Sequence, residues 1–184
     1  LLKLFNWVER FDRQGIIRPQ MEGVRPVLTD TENNWNQFIR SFWTDADENV
    51  RKRFFEDFIL NIGIREEQIA APLREKYGCN IPWAILMDPT SACNLHCTGC
   101  WAAEYGNRLS MDLETLDSIV RQGKELGVHL YIYSGGEPLM RKQDILTLCE
   151  RYPECIFMAF TNATLIDEAF ADAMLHVQNF IPAI

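Results

Sequence analysis

No run of apolar residues in the 184-residue sequence approaches the roughly 18 needed to cross a bilayer, so no spanning helix is expected. The N-terminus, Leu1-Leu2-Lys3-Leu4-Phe5, lacks the layout of a signal peptide. Basic residues form no long run or stripe and the net charge is -8, so the electrostatic footprint of a nucleic-acid binder is missing. The composition also lacks the marks of disorder. With 47% hydrophobic and 24% charged residues, it is that of a chain with a packed core. These absences together predict a cytoplasmic protein with no membrane span and no nucleic-acid partner. The sequence does not open on Met, from which a trimmed or partial chain is expected.

Cysteine is present but unevenly spread. Of the six, Cys79, Cys93, Cys97, Cys100, Cys149 and Cys155, three fall within eight residues. That clustering suits metal binding in a reducing compartment better than a disulfide framework.

Two regions follow from the patterning. Residues 1–80 read as helical. Trp35, Phe38, Ile39, Phe42 and Trp43 recur at the spacing of one helix face and are expected to pack as such a face. Asp45 or Asp47 is placed to cap a further helix through Val50, Phe54, Phe58 and Ile62, which Gly63 would end. From residue 81 to 184 strands alternate with helices. Trp83 to Met87 is a short apolar run between Pro82 and Pro89, the pattern of a buried strand. Ser110 is a plausible cap for a helix buried through Leu113, Leu116, Ile119, Val120 and Leu126, with Gly127 terminating it. Strands are expected at Val128–Tyr133, at Ile156–Phe160 and from Phe180. Short helices are expected over Ile145–Cys149 and from Asp167 through His176. Such alternation implies right-handed βαβ units, a parallel sheet and an α/β fold, with ligand chemistry at the C-terminal ends of the strands. About three and a half units are present, so further βα units are expected to follow in the natural chain.

Directly after the first strand, Cys93-Asn94-Leu95-His96-Cys97-Thr98-Gly99-Cys100 has the spacing C-x3-C-x2-C. Three soft thiolates on one loop can converge on one metal centre. A [4Fe–4S] cluster takes four cysteines as a rule, so a triad leaves one iron open to another ligand. A closed zinc site would need His96 as the fourth ligand, but neighbouring side chains rarely face one tetrahedral centre. Cys149 and Cys155 sit on an apolar helix face and at a strand start, positions that favour core packing.

The cysteine triad after the first strand resembles that of the radical S-adenosylmethionine superfamily. Two further segments share the likeness. Ser134-Gly135-Gly136-Glu137-Pro138-Leu139, at the end of the second strand, looks like the family's GGE motif. Thr161-Asn162-Ala163-Thr164-Leu165, at the end of the third, is similar to the segment that often reads T-N-G-x-x. Two glycines permit close backbone approach, and Glu137 supplies a charge to pair with an ammonium. For Thr161 and Asn162 an ordinary strand-end turn and a cofactor contact stand as equal readings. The sequence departs from the family pattern at Gly99, where an aromatic residue is usual, and at Ala163, which disfavours a left-handed backbone.

The resemblance covers about residues 83–184 and implies the first half of a (β/α) radical-SAM barrel. It implies a [4Fe–4S] cluster on Cys93, Cys97 and Cys100, and S-adenosyl-L-methionine held by Gly135, Gly136, Glu137, Thr161 and Asn162. The implied reaction is reductive cleavage of that cofactor to a 5′-deoxyadenosyl radical, which abstracts hydrogen from a small-molecule or peptide substrate. An electron donor such as flavodoxin or ferredoxin is the implied partner. Two rivals stand beside this reading: a non-enzymatic iron–sulfur or zinc module on the same cysteines, and a catalytically inactive scaffold of the same family.

Overall fold

The computed structural model describes Asn6, Arg10 and residues 18–56, 61–62 and 66–184. The chain divides into two compact units, Leu1–Lys52 and Arg53–Ile184. Motif content alone suggests a boundary near residue 80.

The first unit contains α1 (Arg18–Thr29) and α2 (Asn34–Asp45), with the start of α3 (Glu48–Phe54). Asn33 caps α2 by accepting from the Trp35 amide at 2.9 Å. Asn36 is buried, and its Nδ2 donates to the Val27 and Leu28 carbonyls at the end of α1. This anchor turns the face of Asn36, Ile39 and Phe42 inward, because residues three and four apart share one side of a helix. Trp35 and Phe38 lie off that face. They are 67% and 62% exposed and meet edge to face at 6.1 Å, so the expectation that this whole stripe packs inward is corrected. Asp47 accepts from the Asn49 amide at the head of α3, and Asp45 is instead the last residue of α2. Phe58 and Gly63, expected in this helix and at its end, lie outside the described residues.

In the second unit α4 (Glu66–Tyr77) precedes four parallel strands: β1 (Ala84–Met87), β2 (Leu130–Tyr133), β3 (Ile156–Phe160) and β4 (Phe180–Ala183). Their order in the sheet is that of the sequence. The crossovers run through α5 (Leu113–Glu125), α6 (Lys142–Arg151) and α7 (Glu168–Val177). Consecutive strands lying side by side with a helix between each pair is the winding of a (β/α) barrel's first half.

Side chains alternate across each strand, and the helix-facing set forms the core. Tyr131 and Tyr133 both stack with Phe157, ring centres 5.6 and 6.0 Å apart, in one core with Leu116 and Val120 of α5 and Leu148 of α6. Each aromatic pair adds about 0.5–1.5 kcal/mol beyond the area it buries. Cys149 and Cys155 are buried in this core as expected, and burial pushes the Cys149 thiol far above its ordinary range.

Helix boundaries shift where side chains are used elsewhere. Asp112, not Ser110, caps α5 by accepting from the Thr115 amide at 2.8 Å. Ser110 is held in an extended bridge with Thr90, and its hydroxyl accepts from Arg141, so it is unavailable to start a helix. The segment expected over Ile145–Cys149 extends to all of α6, while Asp167 caps α7 by accepting from the Phe170 amide.

Candidate functional site

At the C-terminal ends of β1, β2 and β3 the chain makes three loops, and backbone pairing sets the first. The Ser91 amide donates to the Leu109 carbonyl at 2.8 Å and the Met111 amide to that of Pro89 at 3.0 Å. Both ends of the cysteine loop are thereby pinned together at the tip of β1. Thr90, buried at the root, accepts from the Ala92 amide at 3.0 Å and lies 3.3 Å from the Leu109 carbonyl. Arg141 reinforces the root from below, since its guanidinium reaches the Met111 carbonyl and Ser110 hydroxyl while pairing with Asp144 at 2.6 Å.

The two glycines after β2 belong to this root. The Gly136 amide donates to the Thr90 carbonyl at 3.0 Å and the Glu137 amide to that of Ala92 at 2.8 Å. A Cβ on Gly136 would stand 2.2 Å from the Ala92 carbonyl oxygen, a backbone atom that cannot give way. Gly135 has φ +96°, which a side chain would strain. The close approach expected of these glycines is therefore made to the strand-to-cysteine segment of the chain itself.

Within the loop Cys93 is half-buried and Cys97 and Cys100 are exposed. The Cys100 amide donates to the Cys97 carbonyl at 3.2 Å in a turn where Gly99 has φ +75°. The three cysteines line one cavity of about 180 Å3 together with Ser91, Leu95 and Gly136. His96, expected to be a loop residue rather than a metal ligand, lines the same cavity. As they stand, no three His, Cys, Asp or Glu side chains among the described residues are grouped closely enough to hold a single metal ion. The donor set nevertheless fits an iron–sulfur cluster, since three soft thiolates on one short loop border one space. Trp101 and Tyr105 follow on a 3-10 segment, Trp101–Arg108, and meet edge to face at 5.9 Å on the exposed surface.

Glu137 joins the second loop to the third. It is 1% exposed, and its Oε1 accepts from the Leu139 amide at 2.9 Å and the Thr161 hydroxyl at 2.7 Å. Its Oε2 accepts from the Asn162 amide at 2.8 Å. Three of about four lone-pair positions are thus filled. Thr161 is also bound to β4, its amide donating to the Ala183 carbonyl at 3.0 Å.

The turn after β3 corrects one expectation outright. Ala163 takes the left-handed backbone, with φ +61°, although it has a side chain. Its neighbours over-determine that conformation. The Ala163 amide donates to Thr161 Oγ1 at 3.0 Å, the Thr164 amide to Asn162 Oδ1 at 3.0 Å and the Ile166 amide to the Ala163 carbonyl at 3.1 Å. Below the turn, Lys142 donates to the Leu165 carbonyl and pairs with Asp167 at 2.6 Å, which holds the Asp167 carboxyl below its ordinary range.

Asn94 and Thr164 were missed by sequence reasoning. Asn162 Nδ2 donates to Asn94 Oδ1 at 3.0 Å, and Asn94 Nδ2 donates to Thr164 Oγ1 at 2.7 Å, closing the first loop onto the third across 68 and 70 residues of chain. Asn94 lies between two candidate ligands, but nothing in the linear sequence pairs it with Thr164.

The family model described as the Radical SAM superfamily matches residues 87–181. A probable GTP 3′,8-cyclase of Methanosarcina mazei is 32% identical over 114 residues, which are 56% of this chain and 33% of that protein. A GTP 3′,8-cyclase of Clostridium perfringens is 33% identical over 88 residues, 45% of this chain and 27% of its own. An uncharacterized protein of Archaeoglobus fulgidus is 28% identical over 156 residues, 81% of this chain and 36% of its own. Among solved structures, Streptococcus suis SuiB bound to the precursor peptide SuiA matches with a TM-score of 0.51 and 25% identity. That match covers 64% of this chain and 27% of SuiB. SuiB bound to S-adenosylmethionine gives the same TM-score and identity. The chain spans about a third of the length of the curated relatives it matches.

Proposed function

Because this chain belongs to the radical SAM superfamily, we propose that it carries a [4Fe–4S] cluster on Cys93, Cys97 and Cys100, and binds S-adenosyl-L-methionine beside it. Residues 81–184 then form the first half of a (β/α) barrel preceded by a helical region, 1–80. Cys93, Cys97 and Cys100 would hold the cluster, which would supply the electron for reductive cleavage of the cofactor's carbon–sulfur bond, giving methionine and the 5′-deoxyadenosyl group as hydrogen abstractor.

Glu137 is the observation that carries this reading. Its buried carboxylate accepts three hydrogen bonds, all from neutral groups. No Lys, Arg or His forms an ion pair with it among the described residues. A buried carboxylate without a cation is costly, and an ammonium offsets that cost. Gly135, Gly136 and Glu137 accordingly receive the methionine amino group, with Thr161 and Asn162 completing the rim. The three cysteines hold the metal, and the paired roots of the loop keep its opening next to that rim.

A flavodoxin or ferredoxin would supply the electron in a cytoplasmic setting. The class of the reaction, oxidoreductase or transferase, follows from a substrate that is a small molecule or a peptide. SuiB, as bound to a precursor peptide, favours the peptide, and the GTP cyclases favour a nucleotide. A zinc module is the second reading, favoured by His96 on the cysteine-lined cavity.

Anaerobic reconstitution with iron and sulfide decides between them. The expected product is brown, holds about four irons and four sulfides, binds S-adenosylmethionine by calorimetry and forms 5′-deoxyadenosine under dithionite. Stoichiometric zinc with no visible chromophore would overturn the iron–sulfur reading. A loaded cluster without cofactor binding would identify the non-enzymatic module or inactive scaffold.

A further inference from the structure

Every polar atom of the Asn162 side chain is engaged. Oδ1 accepts from the Thr164 amide at 3.0 Å and from its hydroxyl at 2.6 Å. The backbone donor settles which end of the amide is oxygen. Nδ2 therefore points the other way, donating to Asn94 Oδ1 at 3.0 Å and toward Cys93 Sγ at 4.0 Å, within reach of a hydrogen bond to sulfur. The residue's own backbone amide is bound to Glu137 at 2.8 Å. Swinging this side chain away would break several bonds at once.

Among the described residues, Cys93 is the candidate ligand whose sulfur receives hydrogen bonds, from the Leu95 amide at 3.4 Å and from Asn162. The Leu95 bond is local to the loop. The Asn162 bond comes from another strand end and depends on the tertiary fold. A donor at a thiolate draws charge from the sulfur and stabilises the more negative oxidation state of whatever the sulfur ligates. Hydrogen bonds to the sulfurs are one of the terms that set iron–sulfur potentials.

We propose that Asn162 is a positioning residue that donates to Cys93 Sγ and raises the one-electron reduction potential of the cluster on this loop, an inference that rests on the cluster reading above. The same amide ties Asn94 in place, so the loop and its electronic setting are adjusted by one side chain. Glu137 acts behind it by fixing the turn from which it reaches.

The test is redox titration, followed by EPR, of the reconstituted full chain and two variants. In Asn162→Ala the donor is lost, and the reduced-to-oxidised ratio at a fixed reductant should fall about tenfold, equivalent to about 59 mV for one electron. In Asn162→Asp the Thr164 bonds are retained but the donor becomes a charge of the wrong sign, so the potential should fall further. An unchanged potential in a fully loaded Asn162→Ala protein would overturn the proposal while leaving the cluster reading intact. Should the variants load poorly, pulsed EPR on the reduced wild-type protein carrying 15N-asparagine serves instead. A nitrogen coupling from asparagine is expected, and its absence overturns the proposal. A wild-type protein that takes up no cluster overturns both.

Discussion

In the cysteine loop every residue from Asn94 to Trp101 is exposed, whereas the turns after β2 and β3 bury Glu137, Pro138, Leu139 and Thr161. The bonding differs in the same sense. The exposed segment is pinned at its roots, through Ser91 and Leu109, and at Asn94. The buried turns share one carboxylate with three donors and are bonded to each other and to β4. One region exposes the Cys97 and Cys100 thiols, and the other supplies a hydrogen-bonded frame behind them. A site that must accept a cluster and then orient a cofactor needs both, since ligands are aligned by the groups behind them.

The largest effect should come from the exposed side. Cys97→Ala is expected to abolish the cluster, read as lost iron and chromophore. The stability of the metal-free protein should change by no more than about 0.5 kcal/mol, as for other surface substitutions. A large loss of apoprotein stability would erase the division between loop and frame.

On the buried side, Glu137→Gln replaces a charge-assisted acceptor and turns an amide toward one of its donors. Unfolding in urea should show a loss of about 1.5–3 kcal/mol, with S-adenosylmethionine binding weakened by a similar amount while the cluster is retained. Unchanged stability and affinity would mean that the carboxylate is not the joint between the two turns.

Ala163→Gly should act in the opposite direction. The left-handed backbone costs a side-chain-bearing residue about 1–2 kcal/mol, and glycine returns part of this through its freer unfolded chain. A net gain of about 0.5–1 kcal/mol is expected in the same urea titration. A loss would show that the turn relaxes around alanine without strain.

The smallest effect concerns acid. The hydrogen bond from Lys142 holds the Asp167 carboxyl below its ordinary 3.8, so the folded state binds this proton more weakly than the unfolded state does. Its stabilising contribution is complete above the ordinary value and is lost as pH falls below it, through the lower folded value. Thermal melts of Asp167→Asn should lie slightly below wild type near neutrality and converge with it in acid. Parallel curves across the whole range would remove the ion pair from the frame.

Periodicity and local chemistry made much of the fold legible. Ile156–Phe160 is a strand over the residues expected, because a continuous apolar run between polar breaks has few other uses. Asp167 caps the following helix for the equally local reason that its carboxylate reaches the Phe170 amide. The cysteine spacing and the Gly-Gly-Glu segment are local signals too, and they fall on successive strand ends. Where the expectation failed, a competing hydrogen bond had claimed the residue or its neighbour. Ser110 did not cap α5 because Thr90 and Arg141 engage it. Trp35 and Phe38 did not pack inward because Asn36 set the face of α2.

What the sequence by itself determined was therefore the strand and helix order, the βα alternation and the thiolate triad, each written within a few residues of chain. Only the tertiary structure decided that Gly136 makes room for Ala92, that Glu137 spends its lone pairs on Thr161 and Asn162, and that Asn94 closes onto Asn162 and Thr164. The reason is one of range. Caps, periodicity and metal-ligand spacing act over one or two turns of chain, whereas these contacts join residues 24 to 70 positions apart, and they come into existence only once parallel pairing has brought the ends of β1, β2 and β3 together.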